Sequence, residues 1–321
     1  MGETDQDRRA YEASVRSGDT CGSCAHDVAL VRDGDIEAAR NVAAAVMHVA
    51  TLAPERLVEV YDGLAEGWRG VAPSAPAVTG APGPSVEIPD GFFDGLWSMV
   101  DDPNLGKDPA EITVRTAQLA FTLPEEFFSR VAAFAHRYPG VTEASSKGLP
   151  PRFTLEALED CPPESLGGHL RSLVVDQGFD LEVLDRDALG LKDLESPLDY
   201  LNTRILQCHD VWHEVAGYET TGLHEIAISG FQMAQFGHHY SSMFLAMTFT
   251  TTAFLAPVEG MGLLLDTVLE AYVHGRETPP LLGVVWEDIW DRSLDEIRDT
   301  VGCSPYDSPY DPALLELIRN G

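Results

Sequence analysis

The stretch Tyr200–Gln235, YLNTRILQCHDVWHEVAGYETTGLHEIAISGFQMAQ, decides the fold. Leu198, Leu201, Ile205, Cys208, Trp212 and Val215 recur at alternating steps of three and four, the apolar stripe of an amphipathic helix. Ser196-Pro197 reads as its N-cap and first helical residue, with Asp199 in the place of a capping-box acid. Gly217 is a C-terminal stop, and Gly222 with Glu225 restarts the chain as a second helix.

His209 and His213 are four apart, so they project from one helical face about one turn from each other. They border the apolar stripe, one residue round from Cys208 and Trp212. Asp210 can lean toward the same point. Glu225 follows His213 after eleven intervening residues, room for a tight reversal and the first turn of an antiparallel helix. Two imidazoles with one or two carboxylates can hold one divalent metal. A bare HDxxH also occurs on ordinary helix surfaces, and it is Glu225, the reversal and the apolar surroundings that point to a site. His224 is placed to transfer a proton, although an exposed role is open to it. Along a continuous helix His239 would lie ~21 Å beyond Glu225, so the expectation is that His238 and His239 do not share the ion.

Tyr200, Arg204, His209, Asp210, His213, Gly217, Glu225 and Gln235, at these spacings, resemble the signature of the coenzyme Q biosynthesis protein four family. Leu149-Pro150-Pro151 leading to Leu155, Glu164-Ser165-Leu166-Gly167, and Trp286, Trp290, Leu294 and Ile297 agree, so the resemblance runs from about Phe92 to Cys303. It implies an all-helical fold, zinc on His209, Asp210, His213 and Glu225, and work in ubiquinone formation on isoprenoid-tailed aromatic intermediates. It implies either an organising role or removal of the ring carboxylate with hydroxylation at that carbon. Where the family usually carries Gly before the ligand Glu, this chain has His224, and the region before Phe92 has no counterpart.

The rest of the chain reads as an all-α, multi-helix bundle, because no run alternates long enough for a sheet. Residues 1–69 form an N-terminal helical extension with a polar tail, 70–91 a Pro/Ala/Gly-rich linker, and 92–321 the helical core that carries the site. Asp35–Trp68 reads as two helices broken at Pro54. Ile226–Leu255 is apolar nearly all round and reads as one central buried helix. Trp286–Val301 reads as a last long helix, and SPYDSPYDPALLELIRNG as a turn-rich strap before a short terminal helix. The Met and Phe content of the central helix fits either ordinary core or a cavity wall. The resemblance favours an apolar cavity, lined by Arg204, Trp212, Phe231, Met233, Gln235 and Met247.

With 21 basic against 52 acidic residues, the net charge of -31 argues against nucleic acid and against adhesion to anionic lipid, so membrane contact is at most peripheral. The first residues, MGETDQDRR, lack an apolar signal core, and five dispersed cysteines fit a reducing compartment; the expectation is a cytoplasmic protein. Cys21 and Cys24 read as two plain thiols in the polar tail, since no second C-x-x-C accompanies them. A homo-oligomer is compatible with this reading.

The expected function is a metal-dependent enzyme acting on an aromatic or quinone-like substrate, by decarboxylation or oxidative decarboxylation, in ubiquinone-type or secondary metabolism. Asp210 and His224 are the candidate catalytic residues, Asp210 being either a fourth ligand or a base just outside the metal shell. The resemblance favours Zn2+, while the ligand set alone also suits Fe or Mn. The alternative is a non-catalytic scaffold for quinone lipids in which the metal staples two helices.

Overall fold

The structure is a computed structural model that describes residues 3–81, 83, 86–105, 109–182, 185–187 and 189–320. Its α-helices are, in chain order, α1 (Glu3–Ser17), α2 (Cys24–Val31), α3 (Ile36–Thr51), α4 (Leu57–Arg69), α5 (Asp90–Val100), α6 (Pro109–Ala120), α7 (Glu125–Ala135), α8 (Val141–Ser145), α9 (Leu166–Val175), α10 (Leu198–Ala216), α11 (Gly222–Phe236), α12 (His239–Leu255), α13 (Val258–Glu277), α14 (Leu294–Val301) and α15 (Leu314–Asn320). Among the described residues there is no strand, only an isolated bridge between Ser165 and Ser293. No helix among them is long and apolar enough to cross a membrane.

Helix α11 is the centre. Its residues from Ala227 to Phe236 are all buried, and it lies along α13 and packs on α12, while α10 meets it through Trp212 on Phe236 and through His209 and His213 on Glu225. Small residues set the spacing: a Cβ on Gly230 would stand 2.9 Å from Val268 O, and one on Gly275 only 2.6 Å from Phe231 O. Helix α12 in turn packs along α3, and α13 meets α4. The N-terminal helices therefore share one apolar core with the rest, through residues such as Val15, Val28, Val46 and Leu64. The 70–91 stretch, expected as a linker, is non-helical and mostly exposed or half-buried in its described residues until α5 begins at Asp90. It is tied down by Arg276, whose guanidinium donates to Ala75 O and Pro76 O, and by Arg137, which donates to Thr79 O.

Several sequence expectations are corrected. The run Ile226–Leu255 is two helices, because Gly237 adopts φ 63° and closes α11 with its N–H on Met233 O. Trp286–Val301 is not one long helix: a 3-10 turn spans Trp286–Asp288, and α14 starts only after Ser293, whose hydroxyl and Glu296 form a reciprocal capping box. Pro197 takes the N-cap position of α10 without a side-chain cap, and Asp199 accepts from the Tyr200 N–H instead. The polar tail is helical, and Cys21 and Cys24 are buried in it. Burial pushes their thiols up to about 12 and 11, out of the reactive range.

Two predictions follow from this packing. A Cβ on Gly237 would lie 2.3 Å from the Tyr138 ring, in a left-handed conformation. Gly237→Ala should thus destabilise the protein by roughly 2–4 kcal/mol, read from the denaturant midpoint. His239 sits against the Phe127 and Phe128 rings at 5.0 and 5.7 Å, and burial pushes its imidazole down to about 4. The unfolded chain then binds the proton more readily, so stability is complete above ~6.5 and declines as pH falls from there toward 4. His239→Phe should flatten that decline in thermal melts taken across the same pH range.

Candidate metal centre

The site is built on the reversal between α10 and α11. Gly217, at φ 76°, ends α10, and both its N–H and that of Tyr218 return to His213 O. Tyr218 O in turn accepts from His213 Nδ1 at 3.0 Å. A carbonyl can only accept, so Nδ1 carries the proton and Nε2 keeps its lone pair. His213 is buried, and its Nε2 has no hydrogen-bond partner. After the turn, α11 begins at Gly222 and brings Glu225 opposite α10 in its first turn, as the spacing predicts.

Glu225 Oε1 stands 3.3 Å from His213 Nε2, and Oε2 stands 3.5 Å from His209 Nε2. His209 turns its other nitrogen, Nδ1, toward Asp210 Oδ1 at 3.3 Å. Donor atoms of His209, Asp210 and His213 lie within 4.8 Å of one another, the one such grouping of three or more among the described residues; Glu225 is not part of it and meets the two imidazoles pairwise, through different oxygens. Donors held by one tetrahedral cation at about 2.0–2.2 Å stand about 3.4 Å apart. The Nε2–Glu225 separations match that spacing, and the His213 lone pair, buried and unpaired, has the character of a ligand atom. The residues fit a divalent cation. Outer contacts to Asp210 and Tyr218 O orient both imidazoles, as metal-ligating histidines usually require.

The electrostatics agree with the geometry. Burial disfavours the His209 cation, but Glu225 and Asp210 outweigh it and raise its pKa. Burial would likewise raise Glu225, yet the imidazoles of His209, His213 and His224 hold its carboxyl down at about 2. His224 is buried and accepts the Glu219 N–H at Nδ1, which leaves the proton on Nε2 without a partner. It stands beside the cluster rather than in solvent.

The six residues expected to line a cavity are core residues. Arg204 pairs with Glu287 and donates to Val284 O, while Gln235 bridges Gly275 O, Thr278 O and the Leu281 N–H. Trp212 lies against Phe236 at 4.8 Å, Phe231 against His274 at 5.1 Å, and Met233 and Met247 are buried. None of them lines the small pocket of about 10 Å3 bounded by Val49, Leu57, Phe134, Tyr138, His239 and Ser242. Nor do they line the open groove of about 510 Å3 around Glu55, Glu125, Arg130 and Arg137. The polar members spend their groups on Glu287 and on loop backbone.

The sequence reading set His238 too far off to share the ion and passed over Tyr240. The break at Gly237 turns the chain, so His238 comes near enough to His209 for charge repulsion, after burial and His239, to help push it down to about 3. Tyr240 is raised by burial first and also feels Glu225. The available signal was Gly237 itself, a helix terminator inside the apolar run.

Residues 150–307 match the model of the family described as Coenzyme Q (ubiquinone) biosynthesis protein Coq4. The match begins later than the Phe92 from which the motif resemblance runs, and it contains all four candidate donors. The chain is similar to the "Ubiquinone biosynthesis protein COQ4 homolog, mitochondrial" of Drosophila melanogaster, 29% identical over 150 residues, 45% of this chain and 52% of the relative. The Drosophila virilis homolog is 26% identical over 153 residues, 46% of this chain and 54% of its own. The chain thus spans about half the length of the curated relatives it matches. Among solved structures, a candidate ubiquinone biosynthesis protein from Nostoc punctiforme PCC 73102 is similar with a TM-score of 0.51 at 23% identity. The alignment covers 67% of this chain and 98% of that one, a likeness of fold.

The geometry generates a direct test. Purified protein dialysed against zinc should retain about one ion per chain by elemental analysis, and His213→Ala and Glu225→Ala should each weaken retention at least about 100-fold, since loss of an outer partner alone costs 10–100-fold. Stoichiometric metal in both variants would remove the ligand assignment.

Proposed function

The chain belongs to the Coq4 family of coenzyme Q (ubiquinone) biosynthesis proteins through residues 150–307, and on that premise we propose that it is a metal-dependent enzyme of ubiquinone-type biosynthesis. Its substrate is an aromatic ring acid bearing an apolar tail, and its reaction is removal of the ring carboxylate. The observation that carries this reading is the convergence of the His209 and His213 Nε2 atoms on one carboxylate, that of Glu225. A bound divalent ion, zinc by family, supplies Lewis acidity toward a phenolate or carboxylate oxygen.

The chain's own residues supply the rest. Asp210 holds the His209 ring in its orientation and keeps an oxygen for proton transfer. His224 carries its proton on Nε2, fixed there by the Glu219 N–H on Nδ1. In the decarboxylation the carbon–carbon bond breaks, carbon dioxide leaves, and the electron pair stays on the ring carbon. That carbon then takes a proton, for which Asp210 and His224 are the carriers. An apolar partner is supported by Tyr240 and Phe244, which are partly buried on the first turns of α12 and stack at 6.3 Å.

A scaffold reading also draws on an observation: the cluster joins α10 to α11 and would staple them whether or not chemistry occurs. The two readings separate on one substitution. Asp210→Asn should keep the metal within about tenfold but lower turnover of a prenylated hydroxybenzoate by about 100-fold or more, as expected for a lost acid–base group. Release of labelled carbon dioxide is the measurement. Unchanged turnover, or none in the wild type while a prenylated quinone precursor co-purifies, favours the scaffold.

A further inference from the structure

The C-terminal segment repeats Ser-Pro-Tyr-Asp and was expected to be only a turn-rich strap. In the structure it closes both helix ends that carry the metal-ligand candidates. The last carbonyls of α10 need partners from outside the helix. Arg298 donates to Glu214 O and Val215 O at 2.8 and 2.9 Å, and the Tyr306 N–H donates to Ala216 O at 2.8 Å. At the start of α11, Glu316 Oε1 accepts the Gly222 N–H at 2.8 Å.

The same segment clamps the residue that orients His213. The Tyr306 ring stacks on Tyr218 at 4.5 Å with 21° between planes. Ser304 O accepts from His274 Nε2, which makes His274 Nδ1 an acceptor and the Tyr218 hydroxyl its donor at 2.8 Å. Pro305 fits against Gly217, where a Cβ would meet it at 2.9 Å. Tyr218 is thus held through its ring, its hydroxyl and its backbone, while its carbonyl fixes the His213 proton on Nδ1.

We propose that residues 298–316 are a positioning strap for the metal centre, with Tyr306 as its central contact, so that docking of the strap and binding of the cation are coupled. This rests on the reading of His209, His213 and Glu225 as ligands. Tyr306 touches no donor atom. It acts through Tyr218, and its loss lets the His213 ring turn without removing a ligand.

The test uses the full chain with zinc and with cobalt as a spectroscopic probe. Tyr306→Leu should weaken zinc affinity about 10- to 100-fold in competition with a chromophoric chelator, the range typical of an outer partner, and should alter the cobalt absorption spectrum. Tyr306→Phe, which keeps the stack, should restore both to within a few-fold. Arg298→Ala, at the part-buried start of the strap, should shift affinity in the same direction by less, and serves if Tyr306→Leu folds poorly. Val28→Ala, in the distant α2 core, should lower the melting temperature and leave affinity and spectrum alone. Unchanged affinity and spectrum in Tyr306→Leu or Arg298→Ala would overturn the coupling while the metal site stands, as would an equal loss in Val28→Ala. A wild type that takes up neither metal removes the ligand reading and this inference with it.

Discussion

Two helices in backbone contact set the architecture. Where α11 and α13 cross, Gly230 and Gly275 bring main chain to main chain, and neither position has room for even a methyl group. Such an approach is reached only when small residues face each other across the crossing. It fixes the axis of α11, and with it the point in space at which Glu225 meets α10. Gln235 then locks the far end, since its amide is hydrogen-bonded to Gly275 O, Thr278 O and the Leu281 N–H just where α13 runs out of helical partners. A buried amide with all of these bonds made is inexpensive to keep and costly to break, so the register of the two helices is specified twice. The site inherits its position from packing that contains no ligand.

How much of this could be read beforehand divides by physical cause. The α10 stripe, its stop at Gly217 and the restart before Glu225 were legible, because periodicity and a left-handed glycine act locally. The convergence of His209, His213 and Glu225 was legible for the same reason: helical geometry over one reversal leaves few alternatives. The break at Gly237 was misread because an apolar run on both sides masks a terminator. That one miss moved His238 and Tyr240 from remote to near.

The cavity expectation illustrates a different limit. Met and Phe on a buried helix describe a composition, and composition is the same for a wall and for a filled core. The polar residues named with that wall have partners of their own, Arg204 on Glu287 and Gln235 on loop carbonyls. Where the strap docks was illegible for a related reason. Its contacts to Tyr218, Ala216 and Gly222 join residues far apart in the chain, and no local pattern of prolines and tyrosines announces which turn they will cover.

The acidity of the chain sharpens what is distinctive about the cluster. Several buried and half-buried carboxylates elsewhere are matched with arginine: Glu55 with Arg130, Asp62 with Arg276, Glu287 with Arg204 and Glu182 with Arg152. An arginine cannot give up its proton, so each of these pairs is permanent and closed to a competing cation. Glu225 and Asp210 pair with imidazoles instead. A histidine can release its proton and present a lone pair to whatever replaces it. The chain has 21 lysines and arginines to neutralise 52 acids, and the His209–Asp210, His209–Glu225 and His213–Glu225 pairs of this cluster use none of them. A carboxylate given exchangeable partners, in a protein that fixes several of its other buried acids with guanidinium, is what the proposed metal centre calls for.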